Sequence, residues 1–296
     1  MSNSQQYALI TGATSGIGYE LAKLFAKDNI NLVLVARSEE NLKSTAAEMR
    51  QISDITVHTI AADLFKPEAA KQVFDKTKEL GVAIEYLVND AGQGEWGRFH
   101  KTDISRDIDL VQLNIISLMS LTKYFLEEMV ARKSGRILQL ASSVSKSPTP
   151  YLAVYAATKA FVLSFSEALA KELEETNVTV TALQPGATDT DFFHKAKAEN
   201  SVTYKETELY DPADVAEGGY KAMMAGDITV QPGFKNKMQN TMNNLMPDTA
   251  VTATMEKQMV SSMDEGGRTS ITHGASSRER ETINAESGGI NGDRKN

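Results

Sequence analysis

Short apolar runs alternate with longer amphipathic stretches along this chain. YALIT (7–11), NLVLVA (31–36), TVHTIAA (56–62), YLVN (86–89), GRILQLA (135–141), VTVTALQ (178–184) and ITVQ (228–231) read as strands. Their Val, Ile and Leu often run on without strict alternation, as in strands covered on both faces. Between them, helical patterns cover about 16–28, 38–51, 67–80, 105–132, 152–176 and 212–225. Asp211 and Pro212 make a good start for the last of these, a capping side chain followed by proline in the first turn. Strand–helix alternation predicts an α/β fold, a doubly wound parallel sheet of about seven strands with helices on both faces. One domain over residues 1–234 accounts for the pattern.

The pattern changes after that. Residues 235–260 read as a C-terminal helical extension, with Met238, Met242 and Leu245 at helical spacing. Such a face suits docking on the domain, and also a partner or a membrane surface. From Ser261 to Asn296 the chain is rich in Ser, Gly, Asn, Arg and Glu, and is expected to be a disordered tail.

Composition narrows the function. The 296 residues carry a formal net charge of −8, which argues against a broad nucleic-acid face. There is no cysteine, so disulfides, thiolate metal sites and cysteine nucleophiles are excluded. The four histidines lack ligand spacing, and no metal site is expected. The start, MSNSQQYALITG, lacks a basic and then apolar leader, and no apolar run approaches the ~20 residues of a membrane span. A cytoplasmic protein without a membrane span is the expectation.

The first strand runs straight into TGATSGIG (11–18) and then a helix. A glycine-rich turn in that place can cradle a pyrophosphate. Gly12 permits the turn, Gly16 lets backbone N–H groups approach phosphate, and Gly18 allows close helix packing, with Thr14, Ser15 and Ile17 between them. The fold is then Rossmann-type, although the same turn also serves as a plain tight connection. The second strand ends in Ala36 and Arg37 rather than an acid. Arg37 and Ser38 can meet a ribose 2′-phosphate, which points to NADP(H) over NAD(H). Arg37 could also be an ordinary surface charge, and the glycine loop holds no second basic residue to reinforce it. Asp63 and Leu64, after the third strand, suit an adenine ring. Asn89, Ala91 and Gly92, after the fourth, suit a turn beside its ribose. Tyr155 and Lys159, four apart, share one helix face.

Taken together and in order, TGATSGIG, NDAG, Asn114 in VQLNIIS, Ser142 in LQLASS, YAATK and QPGATDT resemble the short-chain dehydrogenase/reductase family over residues 7–231. NDAG departs from the family's common form, which has a second Asn where Asp90 stands. The resemblance implies an oxidoreductase moving a hydride between NADP(H) and a carbonyl or alcohol. Tyr155 would be the general acid/base. Lys159 would lower its pKa and bind the nicotinamide ribose, Ser142 would hold the substrate oxygen, and Asn114 would keep a relay water on Lys159. Pro185, Gly186, Thr188 and Thr190 would hold the nicotinamide. Residues 191–210 would form a lid, with Phe192 and Phe193 facing Trp96 and Leu152 across the substrate pocket; Trp96 fits ordinary loop packing equally well. The family usually associates through the two long helices, implying a homodimer or homotetramer. A cofactor-retaining epimerase or dehydratase, or a cofactor-sensing protein, are the alternatives.

The Arg37 reading has a direct test. Replacing Ala36 by Asp and Arg37 by Leu should weaken NADPH binding and improve NADH relative to it. Titration of both cofactors against both proteins measures this, and unchanged relative affinities would exclude Arg37 as the selector.

Overall fold

The computed structural model describes residues 6–206, 209–233 and 248–260. Seven strands, β1 (Tyr7–Thr11), β2 (Asn31–Ala36), β3 (Val57–Ala61), β4 (Ile84–Asn89), β5 (Gly135–Leu140), β6 (Val178–Leu183) and β7 (Thr229–Val230), make one parallel sheet in the order 3-2-1-4-5-6-7. The helices are α1 (Gly16–Lys27), α2 (Glu39–Ile52), α3 (Ala69–Glu79), α4 (Ile104–Val111), α5 (Leu118–Arg132), α6 (Ala153–Glu172), the short α7 (Phe192–Lys195) and α8 (Val202–Glu206), α9 (Pro212–Ala225), and α10 (Asp248–Met259).

Each face of the sheet buries an amphipathic set. Leu21 and Phe25 of α1, Met49 of α2 and Met223 of α9 pack with Ile10, Leu32 and Leu34. Phe25 is fully buried, edge-on to Tyr220 at 4.9 Å. On the other face Val73 of α3 and Leu121, Phe125 and Met129 of α5 cover Leu9, Val33, Leu87 and Ile137. Each such side chain removed from water contributes about 1.5–3 kcal/mol, so these two layers dominate the stability. Asp211 caps α9 by accepting the Ala213 N–H at 2.7 Å, and Gly226 ends it at φ 79°.

Three details differ from the pattern-based expectation. The single helix over 105–132 is broken in register. Its middle, Gln112–Ser117, is a π-helical stretch that joins α4 to α5. Periodicity averaged over a window cannot register one widened turn. β4 begins at Ile84, earlier than expected, because Ile84 pairs with Tyr7 of β1. β7 is only two residues long, an edge strand held by β6 alone. Met238, Met242, Leu245 and the tail 261–296 lie outside the described residues.

One surface is not covered. Ile104 and Ile108 on α4 are 65% and 61% exposed, and Val111, Ile116 and Met119 continue the stripe along the same helical line. Among the described residues no helix is long and apolar enough to cross a membrane.

The strand order places the site. Connections leave β1 toward β2 on one side and reach β4 on the other, so a crevice opens where β1 and β4 end.

Candidate active site

A cavity of about 960 Å³ fills that crevice. It runs from Arg37 and Ser38, past the glycine turn, to Ser142 and Tyr155, and on to Met255 and Met259.

The glycine turn is built by crowding. Gly12 and Gly16 have φ of 72° and 57°, a region that side chains disfavour. A Cβ at Gly12 would stand 2.9 Å from Asp90 Oδ2, and one at Gly18 would stand 2.7 Å from the Gly12 carbonyl oxygen. Ser15 heads α1 without a side-chain capping bond, and no acidic residue occupies the first turn. The unsatisfied N–H groups and positive end of α1 are therefore left for an anion. Gly18 does not line the cavity; its role is the close packing of α1 on β1 and β4.

Thr11, which sequence reasoning passed over, organises the neighbouring turn. Its hydroxyl accepts the N–H groups of both Asp90 and Ala91 at 3.1 Å. Ala91 and Gly92 then face the cavity. Asn89 does not, which corrects its expected place beside the cofactor. Its Nδ2 donates to Thr122 at 3.1 Å and to Gln139 at 3.0 Å, in a buried network tying β4 to β5 and α5.

At the far end, Arg37 forms no ion pair among the described residues. Its guanidinium lies over the Phe65 ring at 5.5 Å, and Arg106 lies 5.4 Å from the same ring. Arg106 also donates to Gln93 at 2.6 Å. Ser38 caps α2 by accepting the Asn41 N–H, with Glu39 and Glu40 in its first turn. Asp63 and Leu64 line the cavity, while the Asp63 carboxylate also accepts the Phe65 N–H at 3.3 Å. Phe65 and Arg106 carried no sequence signal, because their roles depend on distant elements meeting.

Ser142, Tyr155, Lys159 and Asn114 converge around the ends of β4 and β5. Ser142 and Tyr155 both line the cavity, and the Ser142 side chain favours the ionised form of the phenol. Ser142 is held in turn by the Val144 N–H and by its own N–H to Ser145. Asn114, in the π-helical stretch and 1% exposed, grips Gln93 twice: Oδ1 accepts its N–H at 3.1 Å and Nδ2 donates to its carbonyl at 2.9 Å. Nδ2 also donates to Thr158. The Lys159 ammonium donates to the Leu140 carbonyl at 2.6 Å and lies 5.8 Å from the Tyr155 ring centre. A Cβ at Gly92 would sit 3.1 Å from that ammonium and 3.4 Å from Asn114 Oδ1, so a side chain there would crowd both.

Burial sets the protonation states. Tyr155 is half-buried and lines the cavity, and desolvation pushes it up to about 12, with Ser142 opposing. The expected depression by Lys159 is absent from this arrangement, since the ammonium is turned to Leu140. Lys159 is pushed down to about 8 by burial, with Asp90 opposing. Asp90 is pushed up to about 7, also by burial, against the pull of Lys159 and the Gly18 N–H.

Pro185, Gly186, Thr188 and Thr190 line the cavity below the lid. A bridge joins Thr188 to Tyr210, at the two ends of the segment expected to form a lid. Phe192 lies 4.9 Å from the Tyr155 ring, and Phe193 and Leu152 complete an apolar wall with Met255 and Met259 of α10. Trp96 is not among the residues lining the cavity. It stacks on Tyr151 and its indole N–H donates to the Met259 carbonyl at 2.8 Å. Thr203 and the Val202 N–H hold the carbonyls of Gln258 and Val260 in the same way. Among the described residues no cluster of His, Asp and Glu could hold a metal.

A glycine turn at a strand-order switch point, with a buried Ser–Tyr–Lys–Asn set beside it, defines a dinucleotide-dependent enzyme, and the residues fit a nicotinamide dinucleotide. The model of the short chain dehydrogenase family matches residues 6–201, and this chain belongs to that family. It is 35% identical over 187 residues to the uncharacterized oxidoreductase YvrD of Bacillus subtilis (63% of this chain, 70% of that one). It is 33% identical over 187 residues to the human very-long-chain 3-oxoacyl-CoA reductase, covering 61% of this chain and 58% of that one. Among solved structures it resembles a short-chain dehydrogenase from Sphingobium yanoikuyae in complex with NADPH. The two have a TM-score of 0.73 and 29% identity over 81% of this chain and 95% of that one. The protein is an NAD(P)-dependent oxidoreductase.

The α10 clamp is testable. Trp96→Phe removes one buried donor, a loss of about 1 kcal/mol, so amides of 248–260 should exchange hydrogen roughly fivefold faster. Exchange read by mass spectrometry checks this; unchanged rates would leave the clamp to Val202 and Thr203.

Proposed function

We propose that this enzyme uses NADP(H) to reduce the carbonyl group of a substrate with an apolar body. The observation that carries the reading is that Ser142 and Tyr155 line the cavity together, where its glycine-turn end meets an apolar wall. NADP(H), when bound, supplies the hydride. Arg37 and Ser38 would receive its 2′-phosphate, the α1 N-terminus its pyrophosphate, and Thr188 and Thr190 its carboxamide. The NADPH in the Sphingobium enzyme supports that choice over NAD(H).

The chain's own residues then handle the oxygen and its proton. The Ser142 hydroxyl donates to the carbonyl oxygen, and Tyr155 gives its phenolic proton to the same oxygen as negative charge develops there. The product is the alcohol, and the phenolate is reprotonated through Lys159. A phenol raised to about 12 is fully protonated at neutral pH, so the site stands ready to give a proton rather than take one. Asn114 acts through Gln93 and Gly92, holding the wall against which Lys159 rests. Leu152, Phe192, Phe193, Met255 and Met259 offer no charge to a substrate, which suits an uncharged hydrocarbon body.

Tyr155→Phe removes only the hydroxyl. NADPH should bind as before, while turnover of apolar ketones falls at least ~100-fold. Lys159→Ala should weaken NADPH binding as well. Nicotinamide absorbance with a cofactor titration distinguishes these effects, and near-normal turnover by the Phe variant would overturn the assignment.

The exposed Ile104–Met119 stripe supports a homo-oligomer through α4 and α5, the second copy covering what this one leaves bare. Ile108→Glu should shift the protein to monomer in sedimentation at micromolar concentration; an unchanged mass would place the interface elsewhere.

A further inference from the structure

Asp90 follows β4 directly and is only 9% exposed. Its carboxylate fills the hollow that two glycines leave. Oδ2 stands 2.9 Å from the position of a Cβ on Gly12 and 2.6 Å from one on Gly18, and the nearby Gly18 N–H favours the ionised carboxylate. Oδ1 is buried without any hydrogen-bond partner. An anionic oxygen left bare in a dry site is costly, far more than a protonated one.

The groups facing Asp90 do not neutralise it fully. α6 presents the Lys159 ammonium, one of whose three N–H groups donates to the Leu140 carbonyl. α7 contributes the more distant charge of Lys195. α1 contributes the Gly18 N–H and the positive end of its dipole. That same helix end is where the proposed cofactor would lay its pyrophosphate. Two anions would then draw on one positive potential beside a single glycine turn, since Asp90 lines the same cavity. Of the two, only the carboxylate can discharge near neutral pH, and Oδ1 is free to take the proton.

We propose that Asp90 is a proton-linked part of the dinucleotide site, its carboxylate taking up one proton from solvent at Oδ1 as the pyrophosphate settles on the glycine turn. This rests on the NADP(H) reading. The sign follows from linkage. Binding raises the affinity of Asp90 for a proton, so cofactor affinity is full while the carboxyl is protonated and declines as pH rises above the ligand-free value of about 7.

The test is isothermal titration calorimetry of NADPH into the full chain, at about pH 8, in buffers of differing ionisation enthalpy. The wild type should take up close to one proton more than Asp90→Asn, and its affinity should fall more steeply with pH, by up to about tenfold per unit. Proton changes on the cofactor's 2′-phosphate are common to both proteins and cancel in the comparison. Infrared difference spectra of wild-type protein with ¹³C-labelled aspartate need no variant, and should show a protonated carboxyl appearing on NADPH binding. Tight NADPH binding with equal pH slopes, or with no new carboxyl band, overturns the role of Asp90 alone. Failure of NADPH to bind at any pH overturns the cofactor reading and this inference with it.

Discussion

The structure turns on how closely α1 approaches the ends of β1 and β4. Gly12, Gly18 and the Asp90 carboxylate share a space that admits no further atom, and the Thr11 hydroxyl gathers the next two N–H groups from below. That contact aims the bare N-terminus of α1 into the crevice and holds the turn after β4 against it. It also sets Gly92 where the Lys159 ammonium and Asn114 Oδ1 both lie close against it. A side chain at any of these glycines would displace the helix end, the β4 turn or the catalytic lysine, and each displacement would disturb the others.

Enclosure then decides the chemistry. In water a phenol and an ammonium titrate at nearly the same pH. Here burial moves them apart, Tyr155 to about 12 and Lys159 to about 8, because the charged form of each is the one penalised. The site thus holds a neutral acid beside a cation that releases its proton readily. The hydrogen bond from Lys159 to the Leu140 carbonyl keeps that cation off the phenol, and anything that draws the ammonium away from Leu140 changes the acidity of Tyr155.

Much of this was legible in the chain, for reasons that differ by element. The strands were legible because burial on both faces leaves unbroken Val, Ile and Leu runs, and α9 because Asp211, Pro212 and Gly226 mark its ends. The glycine turn and the Ser142, Tyr155 and Lys159 set were legible because each is a short motif at fixed spacing. The break at Asn114 was not, since one π-helical turn leaves no periodic trace. Neither was the turning of Asn89 into the sheet, because Thr122 and Gln139 lie on other elements and only the sheet order brings them to it. Trp96 was open between two roles, and its partner, a backbone carbonyl 163 residues away, carries no side-chain signature at all.

These differences divide the cavity into two halves with different tolerance for change. The dinucleotide half is made of backbone: glycines in left-handed conformations, helix N–H groups, and carbonyls that fix Ser143 and Lys159. Few substitutions can leave such geometry intact. The other half is made of side chains on the lid and α10, and its supports are again backbone carbonyls, at Gln258, Met259 and Val260, gripped by Thr203, Trp96 and Val202. Because the grip is on the main chain, Met255 and Met259 can change identity without loosening it. One rigid backbone-built half can therefore be faced with different apolar walls.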